Sequence, residues 1–494
     1  RTSNIGGLMP INSFLYPGAK FTPPYQVTNS LRFNRGSSDY LNKTFSSAGS
    51  RTTWTISVWV KRANEHGTNS YIIDSGGGSG TSLYFGTEQI EFWDYQSGSY
   101  TGRLTTNRVF RDMLAWMHIV AVWDTTNGTA GNRMRLYVNG VEETSFATDT
   151  NPSSSQNSIL NDGSTSVTIG RQGSIYTNLY MAEFCYIDGQ ALTPTSFGEF
   201  DSDSPTIWKP KSVSGLTFGT NGFYLEFKQS GTSQNSSGLG ADTSGNDHHF
   251  AVNNLTAIDQ STDTCTNNFA TMNSLDNYYA NSTFSEGSLK VVQGSSRYAW
   301  NLSTIAVSSG KWYAEAKLTT SGSYALIGIT DRSPIQTLTE ILGSGAYDYS
   351  IYQSNGDLYN NAGDGPPNDD ENYAASYANG DIIGIALDLD NNKLYFSKNG
   401  DWSNGSGSWD SSTFNSSTGA ITITAPASTT HGNYFFASGD YESGTTPTWE
   451  WNYGGTQSFT ISSGNADDNG YGNFEYSVPS GYYSLCTKNL AEFG

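Results

Sequence analysis

The sequence predicts an all-β chain in which two antiparallel β-sandwich (jelly-roll) domains are joined by a loop-rich connector and preceded by an extended N-terminal arm. One hairpin pattern occurs twice, in residues 116–140 (WMHIVAVWDTTNGTAGNRMRLYVNG) and residues 381–400 (DIIGIALDLDNNKLYFSKNG). In each stretch, alternating side chains predict a strand, Asp and Asn predict a tight turn, and Asn-Gly ends the returning strand. Two copies of one hairpin indicate two sandwiches.

The composition and the length of the chain agree with this fold class. Only 14% of the residues are charged, while aromatic residues reach 14% and there are 54 glycines, which is typical of short strands and frequent turns. A chain of 494 residues exceeds what one core usually serves and predicts two to three domains. We expect an arm in residues 1–29, a first sandwich in residues 30–200, a connector in residues 201–284, and a second sandwich with a C-terminal tail in residues 285–494.

The net charge and the cysteines exclude several classes of function. The formal charge of −20, with no local cluster of Lys and Arg, predicts no binding to nucleic acid or to anionic membranes. The sequence contains no run of about 18 apolar residues, so no membrane-spanning helix is predicted. Cys185, Cys265 and Cys486 are far apart and odd in number, so neither a disulfide framework nor a CxxC metal motif is predicted. The chain begins at Arg1, as expected if this start follows processing or lies within a longer precursor.

The arm and the first sandwich are the first elements along the chain. Residues 1–29 contain scattered prolines and isolated aromatic residues, which predicts an extended arm that is either disordered or ordered by docking on a neighbouring subunit. The strand motifs that follow are SLRFN, SDYL, TWTISVWVKR, WMHIVAVWD, RLYVNG, TIG and MAEFCYIDGQAL. In this order they resemble the laminin-G-like, concanavalin A-like lectin fold. The resemblance implies a two-sheet sandwich and calcium at its rim in some relatives.

The connector and the second sandwich carry two further resemblances. The connector phrases LGADTSGNDHHF and DQSTDTCTNNFATMN are similar to the connecting segment of tailed-phage virion proteins with lectin-like domains, as is the ending SVPSGYYSLCTKNL. Residues 285–494 contain KWYAE, LIGI, GDIIGIALD, LYFSKNG and WNYG, and in this order they resemble a SPRY domain, with Tyr453 where that family usually has Phe. The first resemblance implies a virion protein, and the second implies a two-sheet sandwich whose loops bind protein.

Aromatic side chains near polar loops are the candidate ligand-binding residues. Aromatic rings stack on sugar faces, and Asn, Asp and backbone groups bind hydroxyls. Trp402 and Trp409 lie in a loop rich in Ser, Gly and Asn, where a core is not expected. The candidates are Trp93, Tyr95, Tyr359, Tyr373, Trp402 and Trp409.

Acidic side chains are candidates for calcium ligands and for catalytic groups. The candidates for calcium in the first sandwich are Asp74, Asp94, Asp124, Asn139 and Asp188, but none follows a calcium-loop spacing, so no metal site is predicted. A glycosidase of this fold needs two carboxylates on one strand face. The nearest passages run from Glu88 to Asp94 and from Glu183 to Asp188. In the first, Glu88 and Asp94 are expected on one face and Glu91 on the other, so the motif is not reproduced. His118 is expected in a core or rim position, and His248-His249 are adjacent, so they cannot face one site.

These observations predict a non-enzymatic virion structural protein, namely a fibre, spike or capsid-decorating subunit at the virion surface. Its loops would adhere to host-surface glycans or proteins, and its other partners would be virion proteins and further copies of itself. Two alternatives remain open. One is a structural cement or scaffold subunit with no host ligand, and the other is a glycan-cleaving enzyme that depends on Glu91 or Glu183. No cofactor is predicted apart from the open question of calcium in the first sandwich.

Overall fold

The computed structural model describes residues 25–63, 68–113, 115–277, 281–333, 339–361 and 372–494. Nearly all regular structure in these residues is β-strand, arranged in antiparallel sandwich sheets, which confirms the predicted fold class. The predicted arm, residues 1–29, lies outside the described residues except for residues 25–29.

Twenty strands are described between residues 30 and 261. They are β1 (Ser30–Phe33), β2 (Tyr40–Lys43), β3 (Thr53–Arg62), β4 (Ser70–Ser75), β5 (Thr81–Gly86), β6 (Gln89–Gln96), β7 (Ser99–Val109), β8 (Trp116–Asp124), β9 (Met134–Val138), β10 (Val141–Glu142), β11 (Phe146–Thr150), β12 (Val167–Ile169), β13 (Arg171–Gln172), β14 (Ile175–Tyr176), β15 (Leu179–Asp188), β16 (Gly198–Phe200), β17 (Trp208–Pro210), β18 (Phe223–Leu225), β19 (Ala251–Asn253) and β20 (Gln260–Ser261).

The remaining strands and the helices complete the described fold. The strands are β21 (Thr283–Ser285), β22 (Lys290–Val292), β23 (Trp300–Leu302), β24 (Lys311–Thr320), β25 (Ala325–Thr330), β26 (Tyr349–Tyr352), β27 (Leu358–Tyr359), β28 (Ile382–Asp388), β29 (Lys393–Lys398), β30 (Asp401–Ser403), β31 (Trp409–Ser411), β32 (Ile421–Thr422), β33 (Phe435–Asp440), β34 (Thr448–Asn452) and β35 (Tyr483–Ser484). The 3₁₀ turns are Ala130–Asn132, Pro194–Ser196, Ala257–Asp259 and Pro426–Ser428, and the α-helix α1 is Thr487–Phe493.

The first sandwich consists of two eight-stranded sheets. One has the order β10-β9-β8-β3-β15-β1-β20, with β18 also paired to β15, and the other has the order β11-β7-β6-β5-β4-β12-β2-β19. Alternation along each strand sends Ile56 and Val58 of β3 and Phe92 of β6 into the core between the sheets, where each is at most 1% exposed. Trp54 and Trp123 stack in that core with ring centroids 6.0 Å apart. Burial of each such side chain contributes about 1.5–3 kcal/mol.

The second sandwich consists of a ten-stranded sheet and a five-stranded sheet. The ten-stranded sheet has the order β21-β22-β34-β24-β28-β29-β30-β31, with β32 on β29 and β35 on β24, and the five-stranded sheet has the order β23-β33-β25-β26-β27. The predicted hairpin is present, because β28 pairs with β29 in the register Ile385↔Phe396 and Leu387↔Leu394. These four side chains are completely buried, and the other faces of β24 and β28 carry Tyr313 and Ala386.

Strands of the predicted connector pair with the first sandwich. β18 joins β15 through Tyr186↔Phe223, β19 joins β2, and β20 joins β1. Phe223 and Phe250 pack edge to face at 4.8 Å within the core of the first sandwich. Residues 223–261 therefore extend both sheets of that sandwich.

A buried arginine joins the two sandwiches. Arg32 of β1 is fully buried, and its Nη2 lies 2.8 Å from Asp259 Oδ1 and 2.8 Å from Glu286 Oε2. Its Nη1 also donates to the backbone oxygen of Gln457 at 2.8 Å. Nearby, Lys61 Nζ lies 2.7 Å from Asp263 Oδ2. Separation of the sandwiches would remove the contacts of Arg32 with Glu286 and Gln457 and leave its buried charge less well compensated, so these two contacts disfavour separation.

Helices contribute little to this fold. The helix α1 packs its Phe493 ring against Tyr483 with centroids 3.8 Å apart, and so holds the end of the chain on the second sandwich. In the described part of the chain, no helix has the length and apolar character needed to cross a membrane.

Candidate functional site

A cleft of about 700 Å³ opens on the outer face of the ten-stranded sheet. Three separate segments form its walls, namely the end of β29 with β30, residues 412–414, and residues 476–480 of the tail. Tyr313 of β24 lies at its base, because alternation along that strand directs Trp312 and Ala314 into the core and Tyr313 to the outer face. The cleft therefore forms only when segments that are distant in sequence come together in the folded protein.

A tight turn shapes one side of this first cleft. Asn399 and Gly400 both adopt positive φ, at 52° and 86°. A Cβ atom on Gly400 would lie 2.7 Å from Cδ1 of Tyr476, so glycine is required for the close contact between the turn and the tail. The turn returns the chain into β30 and places Trp402 against the cleft.

Aromatic rings form the walls of the first cleft. Phe414 is half-buried, and its ring centroid lies 4.8 Å from that of Trp402 in an edge-to-face arrangement. Trp402 in turn lies 6.5 Å from Tyr313. The half-buried ring of Tyr476 is on the tail side. Edge-to-face packing of this kind fixes the ring orientations.

Hydroxyl and amide groups complete the first cleft. The polar residues that line it are Ser397, Asn399, Ser412, Thr413, Ser477 and Ser480. Ser412, Thr413 and Ser477 are exposed. None of the described residues that line this cleft is an Asp, Glu, Lys or Arg. The cleft therefore offers ring faces and neutral hydrogen-bonding groups in a protein whose formal charge is −20.

A buried carboxylate holds the tail wall in place. Glu315 is completely buried, its Oε1 accepts the backbone N–H of Tyr476 at 2.8 Å, and its Oε2 accepts that of Glu475 at 2.9 Å. Tyr313 also donates its hydroxyl to Oε1 at 3.1 Å. Burial raises the pKa of Glu315 to about 7, although these hydrogen bonds oppose the rise.

A second cleft of about 380 Å³ adjoins the first. Phe414 and Ser480 line both clefts, so they are continuous around that ring. Phe414 lies 5.0 Å from Tyr395 and 5.4 Å from Tyr482, both in edge-to-face arrangements. The charged residues that line the second cleft are Lys311, Asp388 and Lys393.

The first sandwich carries an aromatic cluster on the outer face of its second sheet. Tyr71 stacks on Tyr84 at 4.6 Å, and Trp93 lies 6.4 Å from Tyr84 and 5.9 Å from Tyr100. Tyr71, Tyr84 and Trp93 are each less than 9% exposed, whereas Tyr100 is 42% exposed. Tyr95 packs on Tyr100 at 4.9 Å. Only the edge of this cluster is open to a ligand.

The six predicted aromatic residues do not form one site. Trp93 and Tyr95 belong to the cluster of the first sandwich, and of the four in the second sandwich only Trp402 lines the first cleft. The expectation that Trp402 lies in an exposed loop is wrong, because β30 pairs with β29 and Phe414 covers the ring, which is 6% exposed. Whether any of the six binds a ligand stays a prediction.

The other three aromatic candidates have structural contacts. Tyr359 is 3% exposed on β27 and packs near Tyr441 with centroids 5.7 Å apart. Tyr373 is also 3% exposed, and its hydroxyl donates to the backbone oxygen of Gly419 at 2.8 Å. Trp409 is half-buried, and its Nε1 donates to the backbone oxygen of Ala375 at 2.8 Å. Each lies outside the lining of the two clefts.

The calcium candidates are bound by donors of the protein itself. In the first sandwich, Asp74 accepts the N–H of Gly77 at 3.0 Å, Asp94 accepts that of Ile159 at 2.9 Å, Asp124 accepts that of Thr126 at 3.2 Å, Asn139 accepts that of His118 at 2.8 Å, and Asp188 accepts that of Ser50 at 2.8 Å. Across the described ranges, no group of three or more His, Cys, Asp and Glu side chains could hold a metal ion. These oxygens thus serve turns and strand ends.

The catalytic candidates have close partners. Glu88 pairs with Arg111 and Glu91 with Arg103, each at 2.8 Å. The carboxylate of Glu183 accepts the hydroxyl of Tyr25 at 2.8 Å, and burial raises its pKa.

The histidines also have structural surroundings. His118 is buried, and its Nδ1 accepts the indole N–H of Trp208 at 3.0 Å, so its Nε2 carries the proton and donates to Ser57 Oγ at 2.8 Å. Burial lowers the pKa of His118 to about 3. His248 Nε2 contacts the backbone oxygen of Thr220 at 2.9 Å, and His249 Nδ1 accepts the N–H of Asp242 at 3.0 Å.

Sequence reasoning missed most of the lining residues. Phe414 is an isolated aromatic residue in the polar stretch SSTFNSS, and Tyr476 and Tyr482 lie in the tail. An apolar ring in such a stretch is the only signal that could have indicated them. Their meeting with Trp402 depends on pairings over long sequence distances, which periodicity does not reveal.

Residues 35–184 match the Laminin_G_3 family model, described as the concanavalin A-like lectin/glucanases superfamily. The matched residues begin just before β2 and end within β15, so they lie in the first sandwich, in agreement with the laminin-G-like resemblance of that region. No curated protein matches the chain in sequence.

Solved structures similar to this chain include a SPRY domain and a pentraxin. The SPRY domain of human HERC1 is 15% identical, with a TM-score of 0.26, and the similarity covers 36% of this chain and 94% of that domain. A native heptameric SAP-like pentraxin from Limulus polyphemus is 16% identical, with a TM-score of 0.26, over 34% of this chain and 80% of the pentraxin. A protein from Bacteroides ovatus ATCC 8483, described as a candidate carbohydrate-binding protein, is 14% identical, with a TM-score of 0.32, over 47% of this chain and 60% of its own.

Proposed function

We propose that the protein binds carbohydrate in the first cleft and does not cleave it. The observation that carries this proposal is an uncharged cleft whose walls are the rings of Trp402, Phe414 and Tyr476 and whose remaining lining is mostly hydroxyl and amide groups. A pyranose presents apolar C–H faces and a rim of hydroxyls, which such a lining complements. The match of residues 35–184 to a lectin/glucanase superfamily supports a carbohydrate ligand for this chain.

The surroundings of four carboxylates support binding without catalysis. Hydrolysis of a glycosidic bond needs an acid and a second carboxylate about 5–9 Å apart beside the sugar. Glu88 and Glu91 are each neutralised by an arginine, and Glu183 is buried against Tyr25. The carboxylate nearest the first cleft, that of Glu315, is buried beneath it and accepts two backbone N–H groups.

The experiment that tests binding blocks the cleft from an exposed position. Ser477 is exposed and lines the cleft, so Ser477→Tyr fills it without changing the core. Ser406→Tyr is the matched control, because Ser406 is exposed and outside both clefts. On a glycan microarray, the wild type and Ser406→Tyr should bind the same glycans and Ser477→Tyr should lose them. Equal binding by all three proteins, or binding of no glycan by the wild type, refutes the proposal.

For the biological setting, we propose a surface subunit of a tailed-phage virion, such as a fibre, spike or capsid-decorating protein, that assembles with copies of itself. The connector and tail phrases support this origin, because they resemble those of phage proteins with lectin-like domains. Gold-labelled antibody against the protein should decorate the outside of intact particles in electron microscopy. A particle without label on its surface would refute this setting and leave the binding proposal intact.

The structural alternative makes a different prediction. A cement or scaffold subunit with no host ligand would tolerate Ser477→Tyr on the particle with no loss of host adsorption. A binding subunit with the same substitution would still assemble, but its particles would adsorb poorly. Comparison of particle yield with adsorption rate therefore separates the two functions.

A further inference from the structure

We propose that the second cleft binds an acidic sugar residue of the same ligand, so that the protein selects anionic oligosaccharides. This inference rests on the carbohydrate binding proposed for the first cleft. An acidic sugar here means one that carries a carboxylate or a sulfate. The first cleft supplies the neutral binding surface, and the second cleft supplies the charge.

The two clefts can hold one extended ligand. Phe414 and Ser480 line both of them, so a chain of sugars that crosses the edge of the Phe414 ring reaches from one to the other. The volumes are about 700 Å³ and about 380 Å³. Tyr395 and Tyr482 provide further ring surface beyond Phe414.

The charges in the second cleft favour an anion. Lys311 Nζ lies 2.9 Å from Asp388 Oδ2, so these two charges neutralise each other. Lys393 Nζ donates to Thr422 Oγ1 at 2.6 Å, and among the described residues it forms no ion pair. One ammonium group thus remains uncompensated by any carboxylate of the lining. In a chain with 25 basic and 45 acidic residues, a positive surplus inside a cleft is unusual.

Two nearby carboxylates oppose this arrangement. Asp468 Oδ2 accepts the hydroxyl of Ser480, which lines both clefts, at 3.1 Å. The second carboxylate is that of Asp390. It is exposed in the turn after β28, outside the lining of the cleft, and its Oδ1 accepts the N–H of Gly310 at 3.0 Å. Its charge lowers the attraction for an anion. The proposal therefore predicts changes in affinity of opposite direction. Asp390→Asn should strengthen the binding of an acidic ligand, whereas Lys393→Gln should weaken it.

The experiment uses the full chain on a microarray of oligosaccharides that are neutral, uronic, sialylated or sulfated. The uronic glycans are printed both as free acids and as methyl esters, so that each acidic ligand has a neutral form of the same sugar. The matched control variant is Lys398→Gln, which removes the same charge from the same strand, because Lys398 lies on β29 outside both clefts. Uronic and sulfated arms distinguish the two sources of charge.

We expect the wild type to bind acidic glycans and to bind their methyl esters more weakly. Lys393→Gln should lower affinity for the acidic form by about tenfold, or about 1.4 kcal/mol, and leave affinity for the ester unchanged. Lys398→Gln should bind like the wild type, and higher salt should reduce only the acidic preference. Equal binding of acid and ester, or an unchanged Lys393→Gln, overturns this inference while binding in the first cleft stands. If the wild type binds no glycan on the microarray, both this inference and the binding proposed for the first cleft are overturned.

Discussion

Protonation of Glu315 couples the stability of the second sandwich to pH. The carboxyl is buried beneath the first cleft, and burial raises its pKa to about 7 from an ordinary value of 4.5. Between these two values the native protein holds the proton and the unfolded chain has released it. The free energy of unfolding therefore falls as pH rises through this range.

The size of the effect follows from the two pKa values. A difference between about 7 and 4.5, at about 1.4 kcal/mol for each pH unit, gives about 3 kcal/mol. This contribution is fully present below pH 4.5 and is lost as pH approaches 7. Glu315→Gln removes the titrating group. Asp39 and Asp440, whose pKa values are raised to about 6 and about 7, remain in both proteins and cancel in the comparison.

Urea denaturation at several pH values between 4.5 and 7.5 measures this effect. The free energy of unfolding of the wild type, minus that of Glu315→Gln, should decrease by about 3 kcal/mol across the range. Glu199→Gln serves as a control for the same substitution on the surface, since the side chain of Glu199 is 56% exposed. A difference that is constant or that increases with pH refutes the reasoning.

Three further predictions concern stability and reactivity. Arg32→Met should cost about 3–5 kcal/mol in urea denaturation, because it leaves Asp259 buried without a counter-ion. Gly400→Ala should lower the midpoint of thermal unfolding, because it introduces a Cβ atom at a φ of 86° that lies 2.7 Å from the Tyr476 ring. The thiol of Cys185 should not react with a thiol reagent until the protein unfolds, because burial raises its pKa, and rapid labelling of the native protein would contradict this.

Local patterns were sufficient to predict the strands of the second hairpin. The alternation in residues 382–388 and the Asp and Asn of the turn determine which faces are buried, and the observed register Leu387↔Leu394 follows from them. The same holds for β8 and β9 in the first sandwich, which pair through Ala121↔Leu136. Where residues that are close in sequence are also close in space, the local pattern is sufficient to predict the strands and their pairing.

The clefts could not be predicted in this way. The residues around Trp402 predict an exposed loop. The ring that covers Trp402 is that of Phe414, which lies twelve positions later in an irregular segment, so the local pattern does not indicate the contact. The tail wall contacts β24 across 161 positions of sequence, from Tyr476 to Glu315. Glu315 is a single acid within the apolar pattern of β24. A buried carboxylate that binds backbone N–H groups leaves no periodic signature in a sequence.

Glu315 also links stability to binding, and this gives a last prediction. Its two oxygens accept the N–H groups of Tyr476 and Glu475, and glutamine has only one such oxygen. At a pH above 7, where Glu315 is ionised, Glu315→Gln therefore leaves one N–H of the wall without its acceptor, and a looser wall must be ordered when the ligand binds. Binding in the first cleft should weaken for acidic and neutral glycans alike, whereas Lys393→Gln changes only the preference between them. On the same microarray, a selective loss of acidic glycans by Glu315→Gln would show that the wall does not order the first cleft.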